Sequence, residues 1–501
     1  MSLQTNIASF IKELREQKGL TQADFAELLE TSQSAVARME KGEQNFSTEM
    51  LTKISHALNR KFLAIKSSVD FKIEGGHQLS GTIQTNTSKN GAMGLLCASL
   101  LNKGKTTLHG IPRIEEVNRI LEVLESIGVV AKWIAQNSLE IIPPKELDLA
   151  SINAVSARKT RTILMFIGPL IHLFKNFSIP NSQGCKLGKR SISAHLYALE
   201  NMGVKIKTTN TTYDIKVGEL KPSEIVMYEA GDTACENILL AAAKIPGKTT
   251  IKFASANYMV QEVANFLTKL GVKVEGIGST TMTVYGVEDI DQNVEYTNSE
   301  DPTETMMLLT AAIVTNSTIT ITRCPIDFLE LELLKLEKMG FKYSKTKIYI
   351  SNNGLTKLVD ITTKPSKLKA LPDKIYSQPY PGINMDNLPF FVPIVALAEG
   401  TSLIHDWSYE NRAIYFMELT RLGTTMILAD PHRVYIEGPT VFQQAQVVCP
   451  PALRPATIIL IAMLGASGTS VLRNVYSINR GYEQIAERLN SIGAKISVIE
   501  E

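Results

Sequence analysis

Two hydrophobic patterns divide the chain. Up to about residue 62 the apolar positions recur at helical spacing in short blocks. In "IASFIKELREQKG", Ile7, Phe10, Ile11 and Leu14 share one face and Gly19 ends the run. "TQADFAELLE" follows with Thr21 as N-cap, and "SQSAVARMEKG" with Ser32 as N-cap and Gly42 as its stop. "STEMLTKISHALN" closes the set, led by Ser47, with Glu49 in its electropositive first turn.

The rest of the chain repeats on a longer period. A helix end, a glycine and a strand-like run recur as "LESIGVVAKW", "LENMGVKIKT", "LTKLGVKVEG", "LEKMGFKYSK", "LTRLGTTMIL" and "LNSIGAKISV". The glycines are Gly128, Gly203, Gly271, Gly340, Gly423 and Gly493, separated by 75, 68, 69, 83 and 70 residues. A residue just past a helix often takes positive φ, which suits glycine, and the runs that follow suit strands. A second signature precedes most of these: a turn residue, Thr or Ser, then a strand, as in "KGKTTLHGI", "IPGKTTIKF" and "ASGTSVLRN". Each unit predicts helix–turn–strand–helix–turn–strand. Such units are longer than solenoid repeats, so they predict globular α/β lobes: two lobes of three units, with a cleft between them as the favoured ligand site.

Composition narrows the class. The 501 residues suffice for two or three domains, with 44% hydrophobic and 20% charged residues and a net charge of +2. That balance offers no bulk electrostatic case for nucleic acid or membrane. The longest apolar runs, such as "TIILIAML", are too short to span a bilayer, and the N-terminus lacks a signal-peptide pattern, so a cytoplasmic protein is expected. The five cysteines are odd in number and scattered, with no CxxC or Cys/His cluster, which argues against a disulfide framework or a metal site. No cofactor is called for. Cys185 stands apart, in the polar, basic stretch "NSQGCKLGKRS". Its neighbours Lys186, Lys189 and Arg190 favour a thiolate. His195 could pair with that thiol or simply support the loop.

Several separated segments carry candidate chemistry: "TSKNGAMGLL" with Lys89 and Asn90, "RKTRTILMFIGPL" with Arg161, "QGCKLGKR" with Cys185 and Arg190, "PYPGINMDNLP" with Asp386, "YENRAIY" with Arg412, "ALRPA" with Arg454 and "NRGYEQI" with Arg480. Together they resemble the motifs of the enolpyruvyl transferases, most closely the UDP-N-acetylglucosamine 1-carboxyvinyltransferase family of peptidoglycan synthesis. The resemblance covers about residues 68–501. It implies an α/β fold, a two-lobe inside-out α/β barrel of six βαβαββ-type units, one lobe from 65–88 and 299–501 and the other from 89–298. It also implies transfer of the enolpyruvyl group of phosphoenolpyruvate to a nucleotide-sugar hydroxyl. Cys185 would then protonate the vinyl carbon and be able to form a thioether. Asp386 would take the hydroxyl proton, although the same residue could serve as a helix N-cap. Lys89 would act beside Asn90, Arg161, Arg190, Arg412, Arg454 and Arg480 in binding phosphate and carboxylate, to which arginine forks are suited.

The sequence departs from that family on the nucleotide side, where Ser193 stands at the place of the uracil-contacting residue and Glu229 and Asp232 stand near where the diphosphate would lie. "RSISAH" puts Ser193 in place of an aspartate. "EAGDTACEN" puts Glu229 in place of a lysine and Asp232 in place of a valine, and "ALRPA" puts Ala452 in place of an aspartate. The phosphoenolpyruvate side is preserved and the acceptor side altered, so the acceptor could be another nucleotide or sugar, and loss of activity is a further possibility.

The head, residues 1–64, is similar to the Cro/repressor-type helix-turn-helix. That resemblance implies that the helix starting after Ser32 enters the major groove, with Gln33, Ser34 and Arg38 facing bases and Gln22 at a phosphate. Residues 1–62 hold eight Lys/Arg and eight Asp/Glu. Phosphate neutralisation supplies much of DNA affinity, so tight binding would need a dimer on a two-fold site. The alternative to an enzyme fused to a DNA-binding head is a transcription regulator whose lobes only sense a nucleotide sugar or phosphoenolpyruvate.

Overall fold

The computed structural model describes residues 8, 11–12, 14–16, 18, 20–42, 50, 53–54, 57, 69–182 and 191–499, and the backbone of Glu500. Cys185 and Arg190 therefore lie outside the described residues, as do Ile7, Phe10, Gly19, Ser47 and Glu49 of the head. The chain divides into two compact units, Met1–Ser68 with the last two residues, and Val69–Ile499.

In the first unit Thr21 caps the helix Gln22–Leu28 by a reciprocal box with Asp24, and Ser32 caps Gln33–Glu40 through Ala35 N. Ile11, Leu14, Phe25, Ala26, Leu29, Val36, Met39 and Ile54 form its core. Beneath them Arg15 makes a buried fork to Glu40, with Nε 2.5 Å from Oε1 and Nη2 3.2 Å from Oε2. Gln22 Nε2 donates to the same carboxylate at 2.9 Å. Burial would raise the Glu40 pKa, but the bonds from Arg15 and Gln22 and the nearby cations bring it below its ordinary value. A depressed carboxylate contributes stability above its unfolded pKa and loses it as pH falls through the folded one. The amides of Val36 and Met39 are therefore expected to lose hydrogen-exchange protection below about pH 4, and Glu40→Gln should flatten that dependence. Unchanged protection down to pH 2 would refute the assignment.

The second unit contains six sheets among the described residues. One plan serves three of them. Thr106–His109, Thr318–Pro325 and Gly247–Lys252 each pair in parallel with one strand (Val294–Thr297, Ser80–Gln84 and Glu224–Val226, the first later in the chain and the other two earlier) and antiparallel with a following one. Gly400–His405 repeats it. In the sheet of Gly468–Arg473 the antiparallel partner is Val69–Gly75, paired from Phe71↔Leu472 to Gly75↔Gly468. The sheet of Asn176–Pro180, Thr212–Val217 and Val204–Thr208 is antiparallel throughout. All six repeat glycines take positive φ, between 87° and 100°, as residues past a helix end do.

Four helices lie inside. Pro302–Val314 is buried at every residue, and Lys89–Ala98, Asp232–Ala242 and Leu453–Gly465 at nearly every one. Strands such as Arg433–Gly438 bury alternate residues only. This explains why the helices read as continuous apolar runs without a polar face. Two hydrophobic cores result, one drawn from residues 92–296 and the other from 71–83 and 306–496. The chain passes between them at 84–89 and 297–302. The two crossings lie side by side, with Ser88 N donating to Ser299 O and Asp301 N to Asn86 O. Cys97, Cys235, Cys324 and Cys449 are buried, and burial pushes their thiols up. No helix among the described residues is long and apolar enough to cross a membrane, and no group of three or more His, Cys, Asp or Glu could hold a metal ion.

Candidate active site

Three of the buried helices, Lys89–Ala98, Asp232–Ala242 and Leu453–Gly465, bring N-terminal residues to one cavity of about 610 Å³. Lys89 and Asn90 open the helix Lys89–Ala98, and Arg454 sits in the first turn of Leu453–Gly465. Asp232 opens Asp232–Ala242, Arg161 opens the 3-10 turn Arg161–Phe166, and Asp386 lies just before Leu388–Phe390. Helix N-termini carry unsatisfied N–H groups and partial positive charge, which suits an anionic ligand. Lys89, Asn90, Arg161, Asp386, Arg412, Arg454 and Arg480 all line this cavity. They come from six segments of sequence that only folding brings together.

The side chains are held differently. Lys89 Nζ lies 3.0 Å from Glu116 Oε2, both largely buried. Burial would raise the Glu116 carboxyl, but Lys89, Arg480 and Arg454 hold it below its ordinary value. Asn90 Nδ2 donates to Tyr258 Oη at 3.1 Å. Arg454 is buried, donates to Tyr482 Oη at 2.5 Å and lies 3.4 Å from Asp386 Oδ2. Arg161 Nη2 donates to Ser191 O at 2.9 Å. Arg480 Nε is buried without a hydrogen-bond partner among the described residues.

Arg412 lines the cavity, but its charge is committed elsewhere. Nε and Nη2 grip Asp406 at 2.5 and 2.8 Å, the two side chains being 1% and 0% exposed, and the guanidinium stacks over Tyr409. Nη2 also donates to Met385 O at 2.8 Å. Arg412 thereby fixes the backbone one residue before Asp386, whose own N–H donates to Asn384 Oδ1 at 2.8 Å. Behind the cavity, buried His195 accepts at Nδ1 from Asn237 Nδ2 at 3.1 Å, with Thr233 Oγ1 3.4 Å from Nε2. Burial pushes its pKa down to about 3, so it is neutral there.

Sequence reasoning missed Glu116, Asp406, Tyr258 and Tyr482. Tyr482 stood two residues after Arg480 in "NRGYEQI", and Asp406 six before Arg412. Nothing local marks Glu116. In the head, Gln33, Ser34 and Arg38 are exposed on the helix Gln33–Glu40, while Val36, Met39 and Glu40 face the core.

Comparison with known proteins agrees with this construction. Residues 73–489 match the family described as EPSP synthase (3-phosphoshikimate 1-carboxyvinyltransferase), and residues 11–65 match the helix-turn-helix family. The chain is 31% identical over 435 residues to a UDP-N-acetylglucosamine 1-carboxyvinyltransferase of Bradyrhizobium diazoefficiens, covering 86% of this chain and 99% of that one. A protein of the same name from Treponema denticola is also 31% identical, covering 86% and 100%. Among solved structures, the enolpyruvyl transferase NikO from Streptomyces tendae shares the fold with a TM-score of 0.75 at 22% identity, over 87% of this chain and 100% of that one. EPSP synthase from Acinetobacter baumannii does so with a TM-score of 0.68 at 19% identity, over 86% and 100%. The chain thus belongs to the EPSP synthase family of enolpyruvyl transferases, joined here to an N-terminal helix-turn-helix domain.

Proposed function

We propose that the chain transfers the enolpyruvyl group of phosphoenolpyruvate to a hydroxyl of UDP-N-acetylglucosamine or a related nucleotide sugar, releasing phosphate, and that its head binds DNA. The observation that best supports this is the convergence of Lys89, Asn90, Arg161, Asp386, Arg454 and Arg480 on one cavity rimmed by helix N-termini. In this reading the phosphate and carboxylate of phosphoenolpyruvate lie against Lys89, Arg161, Arg190, Arg454 and Arg480. Arg412, bound to Asp406, acts by holding Met385 in place. Cys185 gives a proton to the vinyl CH₂ and Asp386 takes the acceptor hydroxyl proton as the oxygen bonds C2. The methyl carbon then returns a proton, the C2–O bond to phosphate breaks and the enol ether forms.

The finer architecture belongs to the same reading: an inside-out α/β barrel of six βαβαββ-type units, with lobes of 65–88 plus 299–501 and of 89–298. Buried helices, one-sided sheets and two separate cores support it. In the head, the exposed Gln33, Ser34 and Arg38 would read base edges. Gln22, whose amide already serves Glu40, retains little freedom for a phosphate.

The test is phosphate release by the full-length protein mixed with phosphoenolpyruvate and UDP-N-acetylglucosamine, then other nucleotide sugars. Release is expected, and Cys185→Ser should slow it markedly. No release with any acceptor, together with ligand-dependent DNA binding, would favour the regulator reading, which the helix-turn-helix head makes the natural rival. Failure to bind a short palindromic DNA at low salt would remove the DNA-binding claim.

A further inference from the structure

One stretch of the cavity wall is acidic. Asp232 and Glu236 of the helix Asp232–Ala242 line it, with Glu229 just before that helix. Glu116, Asp386 and Glu410 line the cavity too, the first two beside Lys89 and Arg454. Asp232 and Glu236 are one helical turn apart and so share a face. Asp232 cannot swing away, because Ser255 Oγ donates to its Oδ1 at 2.5 Å and Asn257 Nδ2 to its Oδ2 at 3.0 Å. Glu236 is 2% exposed, and its Oε1 has no hydrogen-bond partner among the described residues. Gly94 faces that oxygen, and a Cβ there would come within 2.8 Å of it. An acceptor buried there without a partner is costly, and the Glu236 side chain forms part of the cavity lining. The wall is linked to the segment of the proposed base: Asn257, which donates to Asp232, accepts from Asn384 Nδ2 at 3.4 Å, and Asn384 Oδ1 accepts from the Asp386 N–H at 2.8 Å.

We infer that this wall selects the acceptor: it receives hydrogen-bond donors, the hydroxyls or amine of a sugar, and turns away a diphosphate. Resting on the transferase reading above, this narrows the acceptor to one whose sugar, not its phosphates, lies against Glu229, Asp232 and Glu236. A diphosphate placed there would face two fixed or nearby carboxylates with no cation on the same helix turn. Burial holds the Glu236 carboxyl well above its ordinary pKa, with Asp232 adding to the effect.

The experiment is a titration of the full-length protein by calorimetry with UDP, and separately with glucosamine, each in the presence of phosphoenolpyruvate. Wild type is compared with Glu229→Gln/Asp232→Asn and with Glu229→Lys, the latter at an exposed site that tolerates change. Each carboxylate neutralised should tighten UDP on the order of ten-fold and weaken glucosamine. UDP affinity that is unchanged or lower in both variants would overturn the inference. Phosphoenolpyruvate binding is read in the same cell by a separate titration. Its absence defeats the transferase reading, while the UDP comparison still judges the wall.

Discussion

Asp386→Asn is expected to leave phosphoenolpyruvate binding nearly intact and to slow phosphate release by about 10²–10⁴-fold, the range a positioned general base contributes. The substitution preserves size and the backbone bond from residue 386 N–H to Asn384 Oδ1, so the segment should stay where it is. What disappears is the ability to take a proton, along with the charge 3.4 Å from Arg454. Because the phosphoenolpyruvate anions are assigned to other residues, KM for phosphoenolpyruvate should change little while kcat falls. Steady-state kinetics with a competent acceptor check this. A kcat within a few-fold of wild type would remove Asp386 from the role of base and leave it as a structural partner of Arg454.

Arg412→Ala is expected to destabilise the lobe carrying it by about 3–5 kcal/mol, the usual result of removing one partner from a buried ion pair. Asp406 would be left with no charge partner in a setting where it is 0% exposed, and Met385 O would lose its donor. Arg412→Lys should recover only part of the loss, since an ammonium cannot reproduce the two-pronged grip. Urea unfolding followed by hydrogen exchange in the Phe390–Ala396 segment measures it. A shift under about 1 kcal/mol, as for an exposed pair, would show that the pair is not sequestered. A variant that stays folded but loses kcat without losing phosphoenolpyruvate affinity would mark Arg412 as the group that positions Asp386.

Much of this was legible before folding. The repeat glycines were visible because a residue just past a helix end often takes positive φ, which suits glycine. The head helices were visible by their caps, and the apolar run "TIILIAML" falls within the buried helix Leu453–Gly465. The edge strands were not. Glu224–Val226 and Gln446–Val448 have only three residues each and carry no period of their own. Ser80–Gln84 joins Thr318–Pro325, and Val294–Thr297 joins Thr106–His109. Both strands sit beside a crossing between the two cores, a placement that no local pattern contains.

The candidate site divides in the same way. Its cations and Asp386 stood in recognisable motifs, so their identity and the chemistry they could perform came from the sequence. Which of them keeps its charge available did not. Arg412 was read as a ligand-binding residue, and folding brought Asp406 and Met385 O against it. Lys89 met Glu116, and Glu236 was carried inside with its Oε1 next to Gly94 and without a hydrogen-bond partner among the described residues. Sequence alone settled which groups were present and how the backbone turns locally, because caps, glycines and apolar runs act over a few residues. Burial and the approach of other charges decided what each group can do, because both depend on neighbours that lie up to 142 residues away along the chain (Gly94 and Glu236) and that only the tertiary structure supplies.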